Sequence, residues 1–511
     1  MKKHKLMLAA ACLWGLLIAP MAQACTGVYV GSDLTNDGST MFARTVDLEQ
    51  YHNQRFKIFP RGQVKKGETV TNPATNNIFN YTAKRDSLQY MALPDELESQ
   101  PHIGLYQSAG FNEKGLAIDA TVTTYTNRKI QQVDPFLKDG LNETMITNYL
   151  LGQATSVEEA FELLDTSLKE QGASEGMGLM IADKDQAWYM EVLSGHQYVA
   201  MKMPKDKYAV FPNSLFIQDI DLDKPDQYSA SKDLIKTAKQ ANSLVTDQEG
   251  RIQVASSYAT EVSTDTISRY WAGVYQLDPE ADNPLKENLN KEELIKHYRD
   301  IKTLPFLREM KTVNHKLTIK DLMAFQRNRF QGLDYTPSDN PKSFGADQDP
   351  EKAKKSLHPI GNSGTMQGHI FQLHSDMPQE IPGAMWLAMA SPTTSPYLPF
   401  FAGMQETIPA YQVESARQFH PDSFYWNAHE IFNAMVADEV QMRQPIQDKI
   451  KDMEAKGIAD YESMRQEIKK KYQEDPQAAL QWLTETSNQY AQAVFEKVVQ
   501  LRKDLLGENG E

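Results

Sequence analysis

One cysteine, one arginine and one carboxylate, set around a short hairpin, are the residues whose types and spacing could do chemistry. The cysteine is Cys25, and the only other one in the chain is Cys12. From Cys25 the chain runs Cys-Thr-Gly-Val-Tyr-Val-Gly-Ser32, then Asp37-Gly38-Ser39, then Arg44-Thr-Val-Asp47. Val28 and Val30 alternate with Tyr29, the period of a strand. Asp37-Gly38 is a strong turn signal, and residues 39–44 read as the returning strand. A hairpin brings the end of its second strand back to the start of its first, which sets Arg44 and Asp47 beside Cys25. A guanidinium there favours a thiolate and can hold a carboxylate. A carboxylate there can orient an α-amine. The same two residues would also make an ordinary surface ion pair of little worth, and spacing alone does not separate the two.

What precedes Cys25 bears on its role. The chain opens Met1-Lys-Lys-His-Lys5, continues with an apolar run over residues 6–19, and passes Pro20 to reach Ala22-Gln23-Ala24. A basic start, a short apolar segment and an A-x-A ending predict a secretory signal peptide cut after Ala24. The run is too short to span a hydrocarbon core of about 30 Å as a helix. Such a cut removes Cys12, three lysines and no acidic residue, so the formal charge of −15 becomes −18. Cys25 is then both the first residue and the sole thiol, and no internal disulfide can form. Three fates of Cys25 compete. A lipid-modified cysteine prefers Leu three residues upstream and a small residue two upstream, where this chain has Ala22 and Gln23. An inert buried thiol is the second. The third is a nucleophile whose own α-amine is the base; a thiol pKa near 8.5 beside an amine near 8 suits that role without a histidine.

Cys25, the Asp37-Gly38-Ser39 turn and Arg44-x-x-Asp47 resemble the N-terminal-nucleophile hydrolases, and specifically the cysteine dipeptidases of the C69 (PepD-like) family. Bile salt hydrolases and penicillin V acylases are more distant relatives. Further segments carry the resemblance in order: Gly110-Phe-Asn112-Glu-Lys-Gly115, Gly178 to Asp183, Ala187-Trp188-Tyr-Met-Glu191, Ser194-Gly195-His196, Phe211-Pro212-Asn213-Ser214, Ser268-Arg269-Tyr270-Trp271, and Trp386 through Tyr397-Leu-Pro399 to Gly403. The similarity covers residues 25–403. It implies that the Cys25 Sγ attacks the scissile carbonyl and its α-amine relays the proton. It also implies that Arg44 and Asp47 organise the nucleophile and that Asn213 donates to the oxyanion. Arg269 would support the nucleophile or bind a substrate carboxylate. One departure stands out: the acylase relatives have a second asparagine after the N-E-K-G turn, where this chain reads Ala117-Ile-Asp119-Ala-Thr121-Val-Thr123-Thr124. That difference favours the dipeptidase branch.

The remaining elements must hold this hairpin. Thr155 and Ser156, with Glu158 and Glu159 three residues on, predict a capped helix start, followed by an apolar face of Ala160, Leu163, Leu164 and Leu168. Residues 179–192 predict a hairpin turning at Asp183-Lys-Asp-Gln186. Residues 335–359 are polar and rich in Pro, Asp and Lys, predicting a long surface loop. Residues 424–440, 446–453, 461–472 and 476–506 read as amphipathic helices. The expected organisation is a signal peptide over 1–24, a hydrolase domain over 25–420 and a helical extension over 421–511. The fold class is α+β, a four-layer αββα N-terminal-nucleophile hydrolase fold with a C-terminal helical appendage.

Other chemistries find little support. The 53 basic against 68 acidic residues argue against nucleic-acid binding. His429-Glu430 lacks the second histidine of a zinc-protease motif, and Gly361-Asn-Ser363-Gly364 falls one residue short of a nucleophile elbow. No cofactor and no metal are implied. The expected activity is dipeptide hydrolysis through an acyl-enzyme, by a chain exported to the cell envelope or beyond (the periplasm, where the source has an outer membrane). The expected partners are small peptides and signal peptidase, without stable membrane insertion, and self-association is compatible with the sequence. The rivals are an amidase for bile-salt-like or penicillin-like amides and a non-catalytic lipid-anchored binding protein.

Overall fold

The computed structural model describes residues 25–48, 54–71, 79–96, 105–299, 303–414 and 418–508. The expected signal peptide, residues 1–24, lies outside them. Two large antiparallel sheets dominate. The first has seven strands in the spatial order Leu307–Arg308, Tyr208–Pro212, Thr26–Val30, Thr40–Asp47, Thr365–Leu373, Gly383–Met389 and Leu398–Phe401. The second has eight: Tyr228–Ala230, Tyr198–Lys202, Ala187–Val192, Gly176–Ala182, Ala117–Thr124, Leu105–Asn112, Tyr90–Glu96 and Lys57–Phe59.

The sheets pack face to face over one core that includes Val28, Phe42, Phe111, Met180, Tyr189 and Phe211. Rings meet across the gap, Phe111 on Phe371 at 4.9 Å and Tyr189 on Phe211 at 4.7 Å between centroids. The alternate residues of the second sheet, among them Ile118, Ile181 and Met190, turn outward to a second core. Helices Glu143–Gln153 and Val157–Glu170 cover that side. Helices Thr264–Leu277 and Ile319–Gln326 cover the far face of the first sheet. The layers are therefore helix, sheet, sheet, helix, the αββα arrangement implied by the resemblance. Because the strand Thr26–Val30 is inside this stack, both of its faces are buried. Its alternation is one of packing partners, not of apolar against polar.

Local expectations hold where the signal is short-range. Ser156 caps the helix Val157–Glu170 by accepting from the Glu159 N–H, and the Thr155 Oγ1 donates to the Glu159 carboxylate at 2.6 Å. The Asp183 side chain closes its turn by accepting from the N–H groups of Asp185 and Gln186.

Two expectations need correction. Residues 335–359 are not one irregular loop: they hold the strands Thr336–Pro337 and Ser356–Leu357, paired in parallel, and the short helices Pro341–Phe344 and Pro350–Lys354. The segment is fastened to its surroundings by the buried Arg329–Asp339 ion pair. At the C-terminus, residues 446–453 and 461–472 are parts of one helix, Glu439–Glu474, which contains Pro445. The preceding helix ends at Ala437, so Val440 belongs to the long one. Proline removes one helical hydrogen bond, yet Ile446, Ile450, Met453, Tyr461 and Ile468 keep a single buried face across the whole length. Gly457 is needed in its middle, since a Cβ there would lie 2.8 Å from the Tyr490 ring of the final helix, Pro476–Leu506. Tyr461 packs against Trp386 and Phe401 and seats the long helix on the edge of the first sheet.

Candidate active site

The hairpin places Cys25. Its turn is closed by Asp37, whose carboxylate accepts from the backbone and the hydroxyl of Ser39 at 3.1 and 2.6 Å. Thr26 then faces Thr45 and Gly27 faces Arg44. The Thr26 N–H donates to the Thr45 Oγ1 at 3.1 Å. Gly27 admits no side chain, because a Cβ would lie 2.0 Å from the Phe211 ring that covers it. At the open end of this pairing Cys25 is buried, with its Sγ 3.7 Å from the Arg44 Nη1 and accepting the Asp47 backbone N–H at 3.5 Å.

Arg44 is held from the second sheet. Its Nε donates to the Asp119 Oδ1 at 2.6 Å, and its Nη2 donates to the carbonyls of Ser108 and Ala120 at 2.9 and 2.7 Å. With those bonds made, Nη1 is left to face the thiol. His369 stands opposite Arg44 on the neighbouring strand, and its Nε2 lies 3.0 Å from the same Asp119 oxygen. The Arg44 charge, with His369 beside it, holds the Asp119 carboxyl below its ordinary range against the effect of burial, and burial lowers His369 itself from its ordinary value. Asp119, which lies in the stretch that departs from the acylase pattern, thus anchors the arginine beside Cys25.

Asp47 is held from the first sheet and the turn before its fifth strand. Its Oδ2 accepts from the Asn362 Nδ2 at 2.8 Å. Asn362 in turn accepts the Gly364 N–H at 2.8 Å. The register slips between Thr365 and Gln367, directly opposite Asp47, and a bulge of this kind re-aims side chains beside a site. The Asp47 Oδ1 meets no hydrogen-bond donor among the described residues.

Asn213 and Arg269 join the cluster from a third direction. Arg269, on the helix Thr264–Leu277, donates from Nη1 to the Cys25 carbonyl at 2.7 Å and to the Thr26 Oγ1 at 2.9 Å. Its Nη2 donates to the Asn213 Oδ1 at 2.9 Å and its Nε to the Asp265 carbonyl at 3.1 Å. The guanidinium thereby holds the backbone of Cys25 and orients Asn213, whose Nδ2 donates to the Thr123 carbonyl at 3.0 Å. Glu191 fixes the segment that follows Asn213, accepting the N–H groups of Phe216 and Ile217 at 2.6 and 3.2 Å.

Burial dominates the electrostatics. It pushes the Cys25 thiol up to about 11, with Arg44 and the Asp47 N–H pulling down and the Asp47 and Glu143 charges pushing further up. Burial also raises Asp47 to about 6, against hydrogen bonding from Thr365 and Asn362 and the charges of Arg269 and Arg44. His358 falls to about 4, from burial and from Arg269 beside it, so this histidine is neutral at pH 7. Glu175, whose carboxylate accepts the Glu143 N–H at 2.9 Å, is raised to about 8 by burial and by the Glu143 charge.

All five residues singled out in the sequence, Cys25, Arg44, Asp47, Asn213 and Arg269, come together. Asp119, His369 and Asn362 are absent from that set. Asp119 is visible in the sequence only as a member of the stretch that lacks an asparagine, and Asn362 only as part of an incomplete nucleophile elbow. His196, expected in a turn, lies away from the cluster with its Nδ1 2.7 Å from Asp134. Among the described residues no group of three or more His, Cys, Asp or Glu is arranged to hold a metal ion.

Comparison with known proteins follows the same outline. The chain is 35% identical over 492 residues to a "Probable dipeptidase B" of Streptococcus pyogenes serotype M1, covering 96% of this chain and 94% of that protein. Among solved structures it matches a penicillin V acylase from Agrobacterium tumefaciens at 14% identity and a TM-score of 0.31, covering 74% of this chain and 86% of that one. It also matches a conjugated bile acid hydrolase from Clostridium perfringens at 14% identity and a TM-score of 0.29, covering 71% and 89%. The family model described as peptidase family C69 matches residues 24–452. The chain therefore belongs to peptidase family C69 and is a peptide hydrolase.

Proposed function

We propose that this protein is an exported cysteine dipeptidase whose nucleophile is the thiol of Cys25 at the mature N-terminus. The observation that carries the reading is the setting of the Cys25 Sγ. It lies between the Arg44 Nη1 and the Asp47 N–H, while the buried Asp47 Oδ1 meets no donor among the described residues. In the full-length chain the nitrogen of Cys25 is an amide and no base. A cut after Ala24 frees an α-amine there, which can take the thiol proton and donate to Asp47. The relatives named dipeptidase supply the substrate class, and the family match begins at residue 24, next to the nucleophile.

The reaction then runs in two halves. The thiolate attacks the carbonyl carbon of the dipeptide, and the carbonyl oxygen becomes an oxyanion. Asn213 keeps one Nδ2 hydrogen beyond its bond to Thr123 and donates it to that oxygen, a kind of contact worth roughly 2.7–4 kcal/mol. Collapse breaks the C–N bond, and the second amino acid leaves with the proton taken from the thiol. Water, deprotonated by the same α-amine, hydrolyses the thioester, releases the first amino acid and restores the thiol. Arg44 stabilises the thiolate. Arg269 positions Cys25 and Asn213.

The test pairs intact mass with a substrate panel. The secreted protein should begin at Cys25, carry no diacylglycerol, and cleave free dipeptides in preference to acyl-glycine amides. A different mature start or a lipidated Cys25 overturns the nucleophile assignment. Cleavage of acyl amides with dipeptides spared would make it an amidase.

A further inference from the structure

Two buried arginines, Arg327 and Arg329, follow the helix Ile319–Gln326, and each is held by a glutamate of the long C-terminal helix Glu439–Glu474. Arg327 pairs with Glu454 and donates to the carbonyls of Pro392 and Ser395 at 2.7 and 3.1 Å. Arg329 pairs through two nitrogens with Glu439, at 2.5 and 2.7 Å. The two pairs look alike but lead to different places.

The Arg329 pair leads to the nucleophile. Arg329 also binds both oxygens of Asp339, at 3.0 and 3.1 Å, and donates to the Gly361 carbonyl at 2.6 Å. Asp339 accepts the Ser363 N–H at 2.6 Å. Gly361 and Ser363 flank Asn362, and Asn362 is the residue that holds the Asp47 Oδ2. Contacts at hydrogen-bond distance thus run from the C-terminal helix to the residue whose N–H touches the Cys25 Sγ. The backbone at Arg329 is itself set: Phe330 has φ +63°, the left-handed region that a bulky residue rarely enters, and its N–H donates to the Asn328 Oδ1 at 3.0 Å.

We propose that Glu439, Arg329 and Asp339 are positioning residues through which the C-terminal helix sets the 360–364 turn and, by way of Asn362, the Asp47 carboxylate. The helical extension is then part of the active-site scaffold. This inference rests on the nucleophile reading of Cys25 and Asp47 given above. The Arg327–Glu454 pair is a built-in control, since it fastens the same helix with the same chemistry and the Arg327 side chain donates to Pro392 and Ser395, outside the turn.

The experiment compares Glu439→Gln, Glu454→Gln, Asn362→Ala and the double variant E439Q/N362A, in the mature chain, by thermal midpoint and by kcat, KM and the pH profile of dipeptide hydrolysis. Both glutamine variants should lower the thermal midpoint. Only E439Q should lower kcat, by about tenfold or more with little change in KM, because a misplaced catalytic group costs rate before binding. Its acid limb should move to higher pH, because Asp47 loses alignment with Asn362 while Cys25, Arg44 and Arg269 still face it. In the N362A background E439Q should cost no further rate, as coupled residues are non-additive. Should E439Q fail to fold, Asp339→Asn takes its place in the same cycle. An active wild type in which E439Q behaves as E454Q, or in which the losses of E439Q and N362A multiply, overturns this inference alone. A wild type that cleaves no dipeptide overturns it together with the nucleophile reading.

Discussion

On the function proposed above, Cys25 in the full-length chain is a masked nucleophile. With its thiol pushed up to about 11, only about one molecule in a few thousand is ionised at pH 7.5. Arg44 lies 3.7 Å away and opposes burial without overcoming it. Removing residues 1–24 places an ammonium beside the thiol and the Asp47 carboxylate, and that charge lowers the thiol's proton affinity. Alkylation by iodoacetamide at pH 7.5 should therefore run about tenfold faster or more in a chain that starts at Cys25 than in the full-length chain; equal rates would contradict this. Cys25, Arg44 and Asp47 were legible because one hairpin relates them, and hairpin register follows from local turn chemistry. Asp119 and Asn362 were not, because they meet Arg44 and Asp47 only through sheet packing and strand pairing, across 75 and 315 residues.

At the scale of elements, two buried acidic side chains brace strands near the site, Asp119 by binding Arg44 and Glu191 by binding backbone. Glu191 is the clearest case, since it ties the strand Ala187–Val192 to the segment after Asn213. Burial raises it to about 8 from its ordinary 4.5, although two N–H groups favour the charged form. Between those values the folded chain keeps a proton that the unfolded chain has released. The stability from this group is full below pH 4.5 and is lost as pH rises through 8. Glu191→Gln cannot titrate, so wild-type stability should fall relative to it between pH 5 and pH 8, on the order of a few kcal/mol. Urea denaturation at the two pH values measures this, and a constant difference would contradict it. The alternation and turn residues of the hairpin over 179–192 made it readable. The continuous helix Glu439–Glu474 was not, because Pro445 is a helix-breaking signal locally and is overridden by a face buried along the whole helix.

At the scale of the molecule, four layers leave Cys25 at the end of a strand sealed on both faces, and the C-terminal helices pack on the edge of the first sheet. The order of layers follows from the family resemblance; the role of the extension does not, since its amphipathic pattern is that of any packed helix. Deleting residues 439–508 would expose the apolar strip around Trp386 and Phe401 and leave Arg327 and Arg329 without their glutamates. Arg329 keeps Asp339, but Arg327 loses its carboxylate, and a buried charge stripped of its partner costs about 3–5 kcal/mol. The truncated chain should accordingly lose its near-ultraviolet circular dichroism and its activity together; retention of both would show the extension to be dispensable. The central claim is that the α-amine of Cys25 is the base for its own thiol, and dipeptide hydrolysis by two chains tests it most directly. One begins at Cys25, and the other keeps a single uncleaved alanine before it. The first should turn over and the second should lose nearly all activity, as should Cys25→Ala. Full activity in the chain with the extra alanine, or in Cys25→Ala, would contradict the account.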